Sequence, residues 1–218
     1  MATAHDDLPV GASVADRYTL SWEQKAVLEQ ADRFARERLH PLQARMDDEE
    51  WWPDGLMAEC AEYGFLGLTA PARYGGADMD IFSAMLVGQA FAKWNPAFAL
   101  SWGAHENLCL NNILRNGTEA QLEQWLPGLC SGERVGALGL TEPGAGSDAL
   151  EGMRTTARRD GDEWVLDGRK LYITNGPIAD VLLIYAKTDP AAGAQGISAF
   201  IVERDSPGFA VAQKLTKM

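Results

Sequence analysis

Between residues 21 and 131 apolar side chains recur every three or four positions. Val27, Leu28, Ala31, Phe34, Ala35 and Leu39 share one face of a helix, which Ser21 with Gln24 opens as a capping box and Pro41 is expected to stop. A second helix opens at Pro53, presents Leu56, Met57, Cys60 and Tyr63, and ends at Gly64. After a loop with Pro71, Gly75 and Gly76, the residues Ile81, Phe82, Met85 and Leu86 mark a third. Residues 98–115 make a fourth, closed by Asn116-Gly117. Thr118 with Gln121 repeats the capping box for a fifth helix that buries Leu122, Trp125, Leu126 and Leu129.

Beyond Ser131-Gly132 the pattern changes to short β-type runs at 135–140, 164–166, 170–174, 181–186 and 198–202. Asp160-Gly161 and Asp167-Gly168 read as type I′ hairpin turns, in which both central residues need positive φ. The alanine and glycine stretch 190–196 reads as a flexible loop between two strands. The pattern therefore predicts an α+β chain: an arm over 1–20, an all-helical domain over 21–131, and a small antiparallel, barrel-like β domain over 132–218. Residues 214–218 carry no cap, turn or return strand, so the last domain reads as interrupted.

Composition narrows the class without changing that picture. Of 218 residues, 46% are hydrophobic and 23% charged, the balance of a globular chain with a real core. A net charge of −12 argues against a nucleic-acid partner, whose affinity would come largely from Lys and Arg on phosphates. Cys60, Cys109 and Cys130 are odd in number and widely spaced, which fits neither a disulfide framework nor a metal site. The first twenty residues lack the basic and apolar regions of a targeting peptide, and no apolar run approaches a membrane span. The default expectation is a cytoplasmic protein.

Two segments carry candidate chemistry. In Leu138-Gly139-Leu140-Thr141-Glu142-Pro143-Gly144-Ala145-Gly146-Ser147-Asp148 a strand runs into a turn where Gly144 and Gly146 admit close approach and Thr141 and Ser147 add donors. Such a turn suits a phosphate or a flavin edge, although an ordinary hairpin or bulge accounts for it equally well. In Lys170-Leu171-Tyr172-Ile173-Thr174-Asn175-Gly176-Pro177, strand alternation puts Tyr172 and Thr174 on one face and Ile173 on the other. That face suits a flat heterocycle, and a half-buried strand ending in an Asn-Gly turn explains it as simply. His105 reads as a satisfied helix histidine and Cys109 as core packing.

Taken together and in this order, Thr141-Glu142-Pro143-Gly144-Ala145-Gly146-Ser147-Asp148 and Tyr172-Ile173-Thr174-Asn175-Gly176 resemble the paired signature of the acyl-CoA dehydrogenases. Leu100-Ser101-Trp102-Gly103-Ala104-His105, Asn107-Leu108-Cys109, Asn116-Gly117 with Glu119-Ala120-Gln121, and Ala70-Pro71 with Tyr74-Gly75-Gly76 are most similar to that family's isovaleryl-CoA dehydrogenase branch. The resemblance implies FAD as cofactor and an acyl-CoA, short and branched, dehydrogenated to the 2-enoyl-CoA. It implies that Leu138, Gly139, Leu140, Thr141, Gly146, Ser147, Tyr172, Ile173 and Thr174 bind the cofactor, with Thr141 bonded to the flavin and Ser147 also meeting the substrate. Electron-transfer flavoprotein as acceptor and a homotetramer follow from the same likeness.

Two departures stand out. Tyr172 replaces the tryptophan of many members and keeps an aromatic wall. The family's C-terminal helical bundle, with the catalytic base, is expected beyond Met218; Glu142 sits in the turn and is no substitute, so no catalytic residue is assigned, and the 218 residues alone are expected to be inactive. Alternatives are a flavin monooxygenase or acyl-CoA oxidase on the same fold, or a non-catalytic remnant acting as an interaction module.

Overall fold

The computed structural model describes residues 19–215, so most of the arm expected over 1–20 lies outside the described residues. Helix α1 (Trp22–Phe34) begins as the capping box requires: the Ser21 hydroxyl accepts the Gln24 N–H at 3.2 Å, and Gln24 Oε1 accepts the Ser21 N–H at 3.1 Å. Pro41 does not stop the helical path, contrary to expectation. A π turn over Ala35–Leu39, closed by the His40 N–H on the Ala35 carbonyl, and a 3-10 turn over His40–Leu42 carry the chain into α2 (Gln43–Asp48). Proline lacks a donor and its ring collides with the carbonyl four residues back; changing the turn width on either side accommodates both.

Helix α3 (Leu56–Glu62) ends where expected, at Gly64 with φ +75°. Helix α4 (Ile81–Trp94), capped by Asp80 on the Ser83 N–H at 2.7 Å, buries Leu86, Val87 and Phe91 and leaves Ile81 and Met85 outside. Helix α5 (Pro96–Gly103), a π segment over Ala104–Leu110 and α6 (Asn111–Asn116) form one helical run. Gly117 closes it in an extended conformation (φ −75°), not a left-handed one. Helix α7 (Glu119–Cys130) carries the second capping box and tolerates Pro127 in its last turns. A ring cluster of Phe34, Phe65, Phe91, Phe98 and Trp102 centres the core, and Trp102 Nε1–H donates to the Phe65 carbonyl at 2.7 Å.

The second half is one five-stranded sheet: β1 (Gly136–Gly139), β2 (Thr156–Asp160), β3 (Glu163–Asp167), β4 (Val181–Lys187) and β5 (Ile197–Glu203), ordered β1-β4-β2-β3 with β5 on β4. A short helical turn, α8 (Ala149–Gly152), precedes β2. The sheet is mixed where an antiparallel one was expected. β1 runs parallel to β4, with Gly136 opposite Val181, and β2 meets β4 in parallel at Thr156 and Lys187. The long excursion between β1 and β4 permits this, since only short hairpins force antiparallel neighbours.

Local corrections follow the same logic. The β2–β3 link is Gly161-Asp162, with positive φ at Gly161 alone (+62°), so Asp160 stays in the strand. Asp167-Gly168 is not a hairpin: Gly168 packs against Thr155 so closely that a Cβ would collide with it, and the chain runs on. Residues 170–174 form no strand, and Tyr172 is left-handed at φ +58°. The 190–196 loop is wound into 3-10 turns kinked at Gly193, between antiparallel β4 and β5.

Val181 and Leu183 of β4 pack into the cluster formed by Cys109, Leu110, Ile113, Leu126 and Leu129, so sheet and helices share one core. All three cysteines are buried and free. Among the described residues no helix is long and apolar enough to cross a membrane, and no group of three or more His, Cys, Asp or Glu is placed to hold a metal ion.

Candidate functional site

Strand β1 delivers Leu138 and Gly139, then Leu140 and Thr141 leave the sheet. Reciprocal backbone bonds between Glu142 and Ala145, at 2.9 and 3.1 Å, close a tight turn with Pro143 and Gly144 at its exposed tip. The second candidate segment lies directly against the first: the Leu171 N–H donates to the Thr141 carbonyl at 2.8 Å, and Lys170 Nζ donates to the Leu140 carbonyl at 3.2 Å. Residues far apart in sequence thus share one seam. Strand alternation does not explain it, because the 170–174 strand is absent.

Glu142 is the internal anchor of this seam. Its carboxylate accepts from Lys170 Nζ at 2.7 Å, the Arg154 N–H at 2.6 Å, the Thr155 N–H at 3.0 Å and the Thr155 hydroxyl. Burial works against its charge, but Lys170, the Thr155 hydroxyl and the two N–H donors more than offset it and hold the carboxyl at about 2. Burial also pulls the Lys170 ammonium below its ordinary value, against the pull of Glu142. A carboxylate so engaged is a poor base. Periodicity could not have announced Lys170, whose role depends on a partner 28 residues away.

The outward side has a different character. Leu138, Leu140, Thr141, Ile173 and Thr174 are half-buried, Gly139 is buried against Ile184, and Gly146, Ser147 and Tyr172 are exposed, Tyr172 by 71%. The Thr141 methyl approaches Gly146. Among the described residues the hydroxyls of Thr141, Ser147 and Thr174 have no hydrogen-bond partner, and none of them is a buried unsatisfied group. The two adjoining segments therefore carry three unpartnered hydroxyls and one exposed aromatic ring, side chains able to donate and accept hydrogen bonds.

His105 joins the two halves from behind. Its Nε2–H donates to the Leu129 carbonyl at 3.0 Å and its Nδ1 accepts the Gly136 N–H at 2.9 Å, so the ring is neutral and fully used. Burial pushes it down to about 4, against the Leu129 bond. The expectation of a satisfied helix histidine holds, as does core packing for Cys109.

The structure is thus a helical half and a mixed sheet that share one core, with the seam of the two candidate segments on the sheet side, and the comparisons supply the family. The chain belongs to the acyl-CoA dehydrogenase family: residues 21–133 match its N-terminal domain and residues 137–218 its middle domain. Among its relatives, mitochondrial isovaleryl-CoA dehydrogenase of Pongo abelii is 42% identical over 224 residues, covering 99% of this chain and 51% of the relative. Butyryl-CoA dehydrogenase from Megasphaera elsdenii superposes with a TM-score of 0.86 at 36% identity, over 92% of this chain and 53% of the other. Glutaryl-CoA dehydrogenase from Mycobacterium smegmatis, in complex with FADH2, gives 0.82 at 34%, over 90% and 50%. The chain spans about half the length of the curated relatives it matches.

Proposed function

We propose that this chain is the flavin-facing half of an acyl-CoA dehydrogenase that converts a short, branched acyl-CoA to its 2-enoyl-CoA. The observation that carries the reading is the Leu171 to Thr141 bond, which aligns two segments that hold three unpartnered hydroxyls and the exposed Tyr172 ring. FAD, when bound, supplies an acceptor for the hydride that leaves the β carbon.

The chain's own residues bind and orient. The Thr141 and Thr174 hydroxyls donate to the flavin edge, where fixed donors favour added negative charge. Tyr172 walls the ring, and Leu138, Gly139, Leu140 and Ile173 line it. Gly146 leaves room for the backbone to approach, and Ser147 faces the phosphate or thioester end of the ligands. Glu142 is held by Lys170, and the buried Glu106 accepts the Gly67 and Leu68 N–H groups, so neither is free to take the substrate's α proton. On this reading the base is a carboxylate outside the described residues, the electrons pass to an electron-transfer flavoprotein, and the working enzyme is a cytoplasmic homotetramer.

The test is FAD titration of the protein and of Thr141→Ala and Thr174→Ala, read by flavin fluorescence and visible spectrum. Each lost hydrogen bond of about 0.5–1.5 kcal/mol should weaken binding up to roughly tenfold. Absence of FAD binding, or binding and spectrum indifferent to both substitutions, would remove this reading.

A further inference from the structure

We propose that Asn175 is the positioning residue for the face formed by residues 172–174, acting through its side-chain amide and touching none of the face's hydroxyls. What that face receives rests on the flavin reading above. How the face is held does not.

Asn175 is 6% exposed, and its Nδ2 donates two hydrogen bonds, to the Ser101 carbonyl at 2.8 Å and the Gly136 carbonyl at 3.1 Å. Ser101 belongs to α5 and Gly136 begins β1. One amide therefore ties the helical half and the strand leading into the first candidate segment to the second. His105 takes the Gly136 N–H, so both polar groups of that residue are fixed by buried side chains and the start of β1 cannot slide.

The backbone around Asn175 is equally constrained. Its carbonyl accepts the Ile178 and Ala179 N–H groups at 2.9 and 2.7 Å, and the Gly176 N–H closes on Ile173 at 2.9 Å. Asn175 and Tyr172 are both left-handed, at φ +66° and +58°, and they bracket Ile173 and Thr174. Asparagine tolerates this region better than most residues, whereas an aromatic residue there needs its surroundings to impose it. The surroundings do so at both ends: Leu171 bonds to Thr141 before Tyr172, and the Asn175 amide bonds to Ser101 and Gly136 after it.

The Asn175 Oδ1 is buried and has no partner among the described residues. Turning the amide over would set that oxygen against two carbonyls, so the two donated bonds fix its orientation and the orphaned acceptor is tolerated for their sake. The two donated bonds hold the turn that carries Thr174 against the start of β1, the strand that leads to Thr141.

Two variants separate the contributions. Asn175→Gly keeps the positive φ and removes the amide, and Asn175→Asp keeps the shape but sets a carboxylate against two carbonyls. Hydrogen exchange followed amide by amide should rise tenfold or more at Leu171 in both, while α7 amides change little. FAD affinity should fall by at least as much as in Thr174→Ala, with an altered flavin spectrum. If Asn175→Asp does not fold, the Gly variant decides alone. Unchanged exchange at Leu171, or a rise spread equally over α7, overturns the proposal, as does unchanged FAD binding in Asn175→Gly beside a weakened Thr174→Ala. If Leu171 exchange rises but FAD binding ignores Thr141→Ala and Thr174→Ala, the positioning role stands and the flavin reading falls.

Discussion

The Lys170 ammonium lies 2.7 Å from Glu142 Oε1, with 9% and 5% of the two side chains exposed. This ion pair clamps the turn of the first segment to the first residue of the second. Among the described residues the other ion pairs all have partners at least a quarter exposed, where such pairs contribute little.

Lys170→Met should therefore cost about 3 kcal/mol, because it leaves a charged carboxylate buried without its cation. Adding Glu142→Gln removes the stranded charge and should recover a large part of the loss. Urea unfolding of the two single variants and the double variant measures the coupling. A single-variant loss below about 1 kcal/mol would show the pair to be no more than a surface contact.

His105 and Glu106 are neighbours whose titrations oppose each other. Burial lowers His105 from 6.5 to about 4, so the unfolded chain binds a proton between those values that the folded chain refuses, and stability is lost as pH falls. Burial raises Glu106 from 4.5 to about 7, against its bonds to Gly67 and Leu68, so here the folded chain holds the extra proton and stability is lost as pH rises. Between about pH 4.5 and 6.5 the two slopes cancel. Glu106→Gln should expose a stability that climbs with pH, and His105→Asn one that falls, each by on the order of 3 kcal/mol across its window. Denaturant midpoints from pH 4.5 to 7 measure both; parallel curves for wild type and variants would refute the assignment.

Ser147 is exposed beside Gly146, at the mouth of the turn. Ser147→Asp sets a carboxylate where the proposed ligands bring phosphate or thioester oxygen. Affinity for FAD or acyl-CoA should fall roughly tenfold at low salt and recover partly at high salt, since screening weakens repulsion at an exposed site. Titration at two ionic strengths decides, and equal affinities at low salt would make Ser147 a turn residue only.

Gly139 faces Ile184 so closely that a Cβ would collide with the end of that side chain, and it would also meet Lys170 Cγ at 3.4 Å. Gly139→Ala should cost about 1–3 kcal/mol by overpacking. Ile184→Val in the same chain should return part of it by clearing the colliding carbon. Unfolding of both variants reads the effect, and no rescue would mean that the clash is relieved elsewhere.

Local chemistry was legible in the sequence. Ser21 with Gln24 and Thr118 with Gln121 form both capping boxes as read, because a cap involves residues three positions apart and needs nothing from the rest of the fold. Gly64 ends α3 in the left-handed conformation for the same reason. The two candidate segments were found by motif, and the tertiary structure set them side by side through Leu171 and Thr141.

What the sequence could not decide was long-range. Lys-Leu-Tyr-Ile-Thr has strand propensity, yet the bonds of Leu171 and Asn175 pull Tyr172 into a left-handed turn, and packing outweighs a weak local preference. Pro41 looked like a stop because the ability of the preceding turn to widen is invisible to periodicity. The parallel pairing of β1 with β4 depends on how the intervening chain returns, and alternation of side chains carries no record of strand direction. The side-chain partners of Glu142, His105 and Asn175 all lie more than ten residues away, so the sequence determined which residues were available and only the folded contacts determined what each of these side chains holds.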